Sequence, residues 1–221
     1  MKKELSAQQI INRKNRQRGK SFEKNIASLL NWFLVPMSGN NAAMGWGDVK
    51  DKELKNDAIY MGECKTITPK NPLEKIYNIQ LEWLDKLTSR SISENNKMPV
   101  LFFTLFGDTN KFVMIPKDIL DIVNNLIPYV DIVYDVMRIK RQSKNHKNYS
   151  IPRDYVMDHR FRNIRRAKVN IIAWDFGFED EVDGSKWAIL HLSDFIKFYN
   201  DDRMCLVKKQ YYAILNRKGS D

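Results

Sequence analysis

The sequence predicts a mixed α/β domain in which helices flank a small sheet. Apolar residues recur at helical spacing between Phe22 and Phe33, which indicates an amphipathic helix. Residues 48–66 read as two strands joined by a turn signal, and residues 99–106 form an apolar run typical of a central strand. A chain that alternates between helical and extended segments in this way belongs to the mixed classes.

The elements follow from local signals in chain order. Ser21 is a plausible N-cap for a first helix over residues 21–33, and the glycine- and asparagine-rich stretch 38–47 predicts a loop. After the hairpin, the pattern predicts a helix over 73–87, strands over 99–106 and 111–115, and a helix over 118–126. Further on, it predicts strands at 170–174 and 187–192, a helix at 194–199, and a last strand or helix at 210–215.

Three segments divide the chain of 221 residues. Residues 1–18 are a basic N-terminal arm or helix, residues 19–130 form the core, and residues 131–221 form a basic C-terminal α+β extension that is a possible DNA-binding element. Hydrophobic residues make up 43% of the chain, which is enough to bury a core and argues against a fully disordered protein.

The formal charge of +10 is unevenly distributed. Residues 138–168 hold eleven basic and two acidic residues, and residues 1–24 hold eight basic and two acidic residues, so the two segments together exceed the net charge of the whole chain. Such clustering favours a surface that binds a polyanion, most often nucleic acid, over a general contribution to solubility.

The cysteines and the lack of long apolar segments indicate the cellular compartment. Cys64 and Cys205 are far apart and form no CxxC pair, so we expect neither a disulfide framework nor a zinc site. No apolar run follows the N-terminal Met1, and no stretch is long enough to span a membrane. We therefore expect a cytoplasmic protein of a bacterial, archaeal or phage-infected cell, without a membrane partner or a small-molecule cofactor.

The tripeptide Glu63-Cys64-Lys65 carries the first sign of chemistry. Alternation along a strand puts Glu63 and Lys65 on one face, where the carboxylate can hold a hard cation and the lysine can orient water or offset phosphate charge. Asp48 opens the partner strand of the same hairpin, and Glu23 lies one residue from the apolar stripe of the first helix. Three carboxylates with one lysine form a Mg²⁺ site of the kind that cleaves phosphodiesters.

Each of these residues also has an ordinary interpretation. Glu63 and Lys65 alone would be a solvated pair, Glu23 a solvated helix residue, and Asp48 a turn residue. Asp57, in the turn signal, is the rival to Asp48 for the metal aspartate. The order of features favours the site: a helix glutamate, a glycine-rich loop, an aspartate that opens a strand, and an ExK that ends the hairpin.

Residues 17–106 resemble the archaeal Holliday junction resolvases and the related resolvase-like nucleases of phages, within the PD-(D/E)XK superfamily. The matching stretches are Arg18 to Glu23, Ser38-Gly39, Gly47 to Lys50, Gly62 to Thr66, Ile79 to Leu84, and Pro99 to Phe103. The sequence departs from the family at Gly47, where the motif has proline, and at Gln80, which is often lysine in similar phage proteins.

The resemblance implies a restriction-endonuclease-like core in which Glu23, Asp48 and Glu63 bind Mg²⁺, with Mn²⁺ as a substitute, and Lys65 assists the water. It also implies a role for the loop around Ser38, and a homodimer, because two symmetric strands are cut. Gln80 is a further catalytic candidate, although a polar residue at the core edge is nearly as good an interpretation. The resemblance covers less than half of the chain.

The basic segments supply the candidate DNA contacts. Together with Ser38, the candidates are Arg13, Lys14, Arg16, Arg18, Lys20, Lys140, Arg141, Lys144, Arg162, Arg165 and Arg166. The leading hypothesis is a structure-selective DNA endonuclease that acts in DNA recombination. The alternatives are a sequence-specific restriction or homing endonuclease, and a DNA-binding accessory protein without catalysis.

Overall fold

A computed structural model describes residues 6–35, 47–51, 58–68, 76–106, 108–139, 148–152, 169–178 and 186–218. The helices are α1 (Ala7–Leu30), α2 (Leu81–Ser93), α3 (Lys117–Leu126), α4 (Leu192–Phe195) and α5 (Met204–Lys218). The strands are β1 (Phe33–Leu34), β2 (Val49–Lys50), β3 (Tyr60–Ile67), β4 (Ile76–Gln80), β5 (Met98–Leu105), β6 (Lys111–Pro116), β7 (Val130–Ile139), β8 (Asn148–Pro152), β9 (Val169–Phe178) and β10 (Trp187–His191).

Eight strands form one open mixed sheet in the order β1-β2-β3-β5-β6-β10-β9-β7. The pairs β3/β5 and β7/β9 are parallel, and the remaining neighbours are antiparallel. Strands β4 and β8 form a separate antiparallel pair. The predicted mixed α/β class with helices around a sheet is therefore confirmed.

The sheet separates two hydrophobic clusters. On one face, α1, α3, α4 and α5 pack on residues such as Tyr60, Cys64 and Phe102. On the other face, α2 and β4 pack on residues such as Met61 and Phe103. Successive residues of β3 and β5 alternate between the two clusters, as the period of two in a strand requires.

The predicted start of the first helix at Ser21 is wrong. Helix α1 begins at Ala7, where the side chain of Ser6 accepts a hydrogen bond from the Gln9 N–H and the Gln9 side chain bonds back to Ser6. The helix is continuous through Gly19, and the first buried side chain is Phe22. The apolar stripe therefore marked the packed half of the helix and not its beginning.

The predicted helix over 73–87 is correct only in its second half. Strand β4 ends at Gln80, and α2 begins at Leu81. The alternation of buried Tyr77 and Ile79 belongs to the strand, and the spacing of Leu84 and Leu87 belongs to the helix. In sequence, the apolar residues of the strand and of the helix together give the spacing of one amphipathic helix.

The predicted strands at 99–106, 111–115, 170–174 and 187–192 and the predicted helix at 118–126 are confirmed with small shifts, and residues 210–215 belong to α5. The helix predicted at 194–199 is instead the short α4, Leu192–Phe195, and the predicted loop 38–47 lies, except for Gly47, outside the described residues. The hairpin pairs β2 with β3 at Val49 and Gly62, and the apolar run becomes β5 in the interior of the sheet. Strands on both sides of residue 130 belong to the same sheet, and side chains from both parts share one core cluster. In the described part of the chain, no helix combines the length and apolarity that a membrane span needs.

Candidate active site

Asp48 lies where β2 separates from β3, and the backbone holds it there tightly. Its N–H donates to the Gly62 carbonyl at 2.7 Å, and its carboxylate accepts a 2.7 Å hydrogen bond from the Cys64 N–H. The side chain thus replaces the backbone acceptor that a longer β2 would offer to Cys64. The site is consequently built into the sheet edge.

Gly47 has a structural role in placing Asp48. Its φ is +84°, and a Cβ there would lie 2.8 Å from Cγ of Met61 and 3.0 Å from the Gly62 carbonyl oxygen. The glycine therefore lets the chain turn tightly over β3 and deliver Asp48 to its position.

Glu63 and Lys65 point to the same face of β3, as predicted. Their side chains form an ion pair at 2.5 Å and remain partly exposed, and Lys65 Nζ lies 5.8 Å from the Trp83 ring centroid. Within the described ranges, β3 pairs only with β5 from Glu63 onward. Among the residues that the structure describes, the pair therefore lies at the edge of the sheet and is partly exposed to solvent.

Glu23 approaches this edge from α1. Burial raises the pKa of Glu23, the charge of Lys65 lowers this pKa, and the charge of Glu63 raises it. Glu23 therefore lies close enough to Lys65 and Glu63 to feel their charges. Burial and the charge of Glu63 raise the pKa of Asp48 to about 6, against the lowering effect of the Cys64 hydrogen bond. The four predicted residues therefore lie within electrostatic range of one another.

The same carboxylates favour the charged form of Lys65. Burial lowers the pKa of Lys65, but Glu63 and Asp48 outweigh burial and raise it. The lysine is therefore held protonated beside three carboxylates. It can donate hydrogen bonds to a phosphate or a water molecule, and the cluster as a whole retains surplus negative charge.

This donor set suits a hard divalent cation. Mg²⁺ prefers carboxylate oxygens, and a cation would offset the burial and the repulsion by Glu63 that together raise the pKa of Asp48. As the side chains stand, no group of three or more His, Cys, Asp or Glu in the described part of the chain is arranged to hold a metal. Glu63 faces Lys65 and Asp48 faces the Cys64 N–H, so a shared ion would require these carboxylates to reorient.

The remaining predicted residues have different positions. Gln80 is the N-cap residue of α2, its side chain is exposed, and it makes no cap hydrogen bond. The basic residues Arg13, Lys14, Arg16, Arg18 and Lys20 are exposed along α1. Ser38, Asp57, Lys140, Arg141, Lys144, Arg162, Arg165 and Arg166 lie outside the described residues.

Sequence reasoning missed two supports of the site. Asp51 accepts hydrogen bonds from the Ile59 and Tyr60 N–H groups, both at 3.0 Å, and so fixes the start of β3. Lys50 is buried with Glu94 at 3.0 Å, which ties β2 to the end of α2. An Asp two positions after a strand begins is a weak local signal for the first, and 44 residues of separation hide the second.

Comparison with known proteins identifies no relative: no family model matches the sequence, no curated protein is similar to it, and no solved structure matches the fold.

Proposed function

We propose that this protein is a magnesium-dependent DNA endonuclease that hydrolyses phosphodiester bonds and selects branched structures, as the junction resolvases do. The observation that carries the proposal is the convergence of Glu23, Asp48 and Glu63 with Lys65 at one edge of the sheet. The arrangement of β2, β3 and β5 between α1 and α2 supports a restriction-endonuclease-like core for residues 19–130.

The chain's own residues divide the work of hydrolysis. Glu23, Asp48 and Glu63 would hold Mg²⁺, or Mn²⁺ in its place, and the ion would supply Lewis acidity and activation of water when bound. Lys65, kept protonated by its acidic neighbours, donates hydrogen bonds to a non-bridging phosphate oxygen or orients the attacking water. The exposed basic residues of α1 attract the phosphate backbone towards the same edge.

A cleavage panel tests this function. Four-way, flap, duplex and single-stranded DNA are incubated with the wild-type protein in Mg²⁺, in Mn²⁺ and in EDTA, beside Asp48→Ala, Glu63→Ala and the control Glu82→Ala. Glu82 is an exposed carboxylate of α2 that pairs with Lys86. We expect EDTA to abolish cleavage, the two site variants to lose on the order of a hundredfold or more, and the control to keep its activity.

The panel also separates the competing functions. Cleavage of one duplex sequence without preference for branches would favour a restriction or homing endonuclease. Binding that persists in EDTA, with no nicking after long incubation, would favour a DNA-binding accessory protein. Undiminished cleavage by both site variants would remove the assignment of the site. We also propose a homodimer, which sedimentation of the active protein checks.

A further inference from the structure

A groove of about 470 Å³ lies between α1 and the ends of β3 and β5. Helix α1 contributes Lys14, Arg18 and Ser21 to it, and the ends of β3 and β5 contribute Thr66, Phe106 and Asp108. Ser21 precedes Glu23 by two positions on α1, and Thr66 follows Lys65 on β3 but points to the opposite face of that strand. The groove is therefore built by the same two elements as the carboxylate cluster.

The groove combines an aromatic surface with positive charge. Phe106 is 41% exposed, a large fraction for a phenylalanine at the end of a central strand. The guanidinium carbon of Arg18 lies 4.7 Å from the centre of the Phe106 ring, and Lys14 lies one helical turn before Arg18. The Arg18 guanidinium lies over the Phe106 ring, and such a stacked pair can in turn stack a base and hold its phosphate.

The groove wall also has unused hydrogen-bonding capacity. Within the described residues, Thr66 Oγ1 and Asp108 Oδ2 are buried without a hydrogen-bond partner. The other carboxylate oxygen, Asp108 Oδ1, accepts a 2.9 Å bond from the Asn110 N–H, which fixes the side chain. A buried oxygen without a partner is unfavourable, so a donor group that reaches either atom stabilises it.

We infer that this groove binds one unpaired nucleotide of a DNA strand, with its base on Phe106 and its phosphate at Arg18 and Lys14. The volume suits a single nucleotide, because ligand pockets of this kind span about 300–1,000 Å³. The position beside the cut bond rests on the proposed nuclease function, whereas binding itself does not. An unpaired nucleotide next to the cut would account for selection of branched substrates.

Fluorescence anisotropy in EDTA tests the inference without cleavage. The probes are labelled oligodeoxycytidine, oligothymidine and a blunt duplex, and the variants are Phe106→Leu and the control Phe33→Leu. Phe33 is an exposed phenylalanine of β1, outside the groove. We expect Phe106→Leu to weaken single-strand binding about fivefold to a hundredfold, since one stacked base is lost, and the duplex to change less than about twofold.

Equal single-strand affinities for Phe106→Leu and Phe33→Leu, or an equal loss on the duplex, would overturn the subsite.

The readouts also keep the two proposals apart. If the wild-type protein cleaves nothing but Phe106→Leu still loses single-strand binding, the subsite stands and the nuclease function fails. If the wild-type protein cleaves branched DNA while Phe106→Leu binds normally, the subsite alone fails.

Discussion

Gly47 and Gly62 directly precede the candidate metal ligands Asp48 and Glu63, and each glycine is required by close packing. A Cβ on Gly62 would lie 2.6 Å from Val49 Cγ2 and 2.7 Å from Phe102 Cε2. Gly47 combines similar crowding with a left-handed backbone. The spacing of Asp48 and Glu63 therefore depends on the absence of side chains one position earlier.

We expect Gly47→Ala to lower the free energy of unfolding by about 2 kcal/mol or more, because the substitution adds left-handed strain and a contact with the Gly62 carbonyl. The control is Gly19→Ala, in the middle of α1, where a Cβ meets nothing within 4 Å and alanine favours the helix. Urea denaturation compares the two variants. A similar loss in both would show that Gly47 is not constrained.

The raised pKa of Asp48 makes stability depend on pH. The folded pKa is about 6, above the unfolded value of about 3.9, so the native state binds a proton more readily than the unfolded chain. The charged form therefore destabilises the fold, fully above pH 6, and the penalty vanishes below the unfolded pKa. The penalty comes first from burial of the charge and then from repulsion by Glu63, and a bound cation would offset both.

Asp48→Asn removes that penalty, and its amide oxygen can still accept from the Cys64 N–H. We expect the variant to be more stable than wild type by on the order of 2 kcal/mol at pH 8, and the difference to shrink towards pH 4.5. Urea denaturation at the two pH values measures this. A difference that does not change with pH would contradict the assignment of the shift to Asp48.

At the scale of elements, a buried charged triad joins β2, α2 and β5. Glu94 follows α2 and binds Lys50 at 3.0 Å and Lys97 at 2.8 Å, and all three side chains are almost fully buried. Burial lowers the pKa of Lys97, and Glu94 opposes this effect. The triad anchors a strand of only two residues, β2, immediately after Asp48.

We expect Glu94→Gln to cost about 3–5 kcal/mol, because it leaves two buried ammonium groups without a carboxylate. Glu82→Gln breaks the exposed pair with Lys86 and should cost under about 0.5 kcal/mol. Thermal unfolding of both variants checks the contrast. Equal unfolding midpoints for the two variants would mean that water solvates Lys50 and Lys97.

The elements that the sequence predicted are those that local signals define. The apolar run of β5 and the hairpin of β2 and β3 depend on neighbours in the chain, so their patterns were readable. Strand β4 pairs with β8, more than 60 residues away in a basic segment, and no local pattern announces that partner. Residues 1–18 were predicted as an arm or a helix, but their continuity with the next helix was missed because residues 7–18 bury no side chain, and apolar periodicity reports burial.

The candidate site also has a part that the sequence predicts and a part that it does not. The hairpin predicted that Asp48 and Glu63 approach each other, because a turn connects their strands. The groove was not predictable, since Phe106 and Asp108 meet Arg18 only through the packing of α1 on the ends of β3 and β5. Contacts between distant elements follow from the assembled sheet.

At the scale of the whole molecule, the division at residue 130 falls inside one sheet. Beyond that residue, β10, β9 and β7 continue the sheet from β6, and α5 contacts α3. Core residues from this part include Ile171, Ala188, Leu190 and Phe195. The second part therefore covers apolar surface that the first part would otherwise expose.

We expect a fragment of residues 1–130 to lose cooperative unfolding, because β6 becomes an unpaired edge and α3 loses the helix that packs on it. Circular dichroism and thermal denaturation of the fragment and the full chain provide the measurement. A sharp transition in the fragment, close to that of the full chain, would show that residues 1–130 fold alone.

The length of α1 determines how many nucleotides of a DNA strand can lie along it. Ten residues separate Arg13 from Glu23, and at 1.5 Å per residue they span about 15 Å. At about 3.4 Å per nucleotide of a duplex strand, this distance corresponds to four or five nucleotides. A DNA strand that lies along α1 would therefore be protected from chemical cleavage at about four or five nucleotides on one side of the cut. The footprint of the protein on DNA would then be asymmetric about the cut.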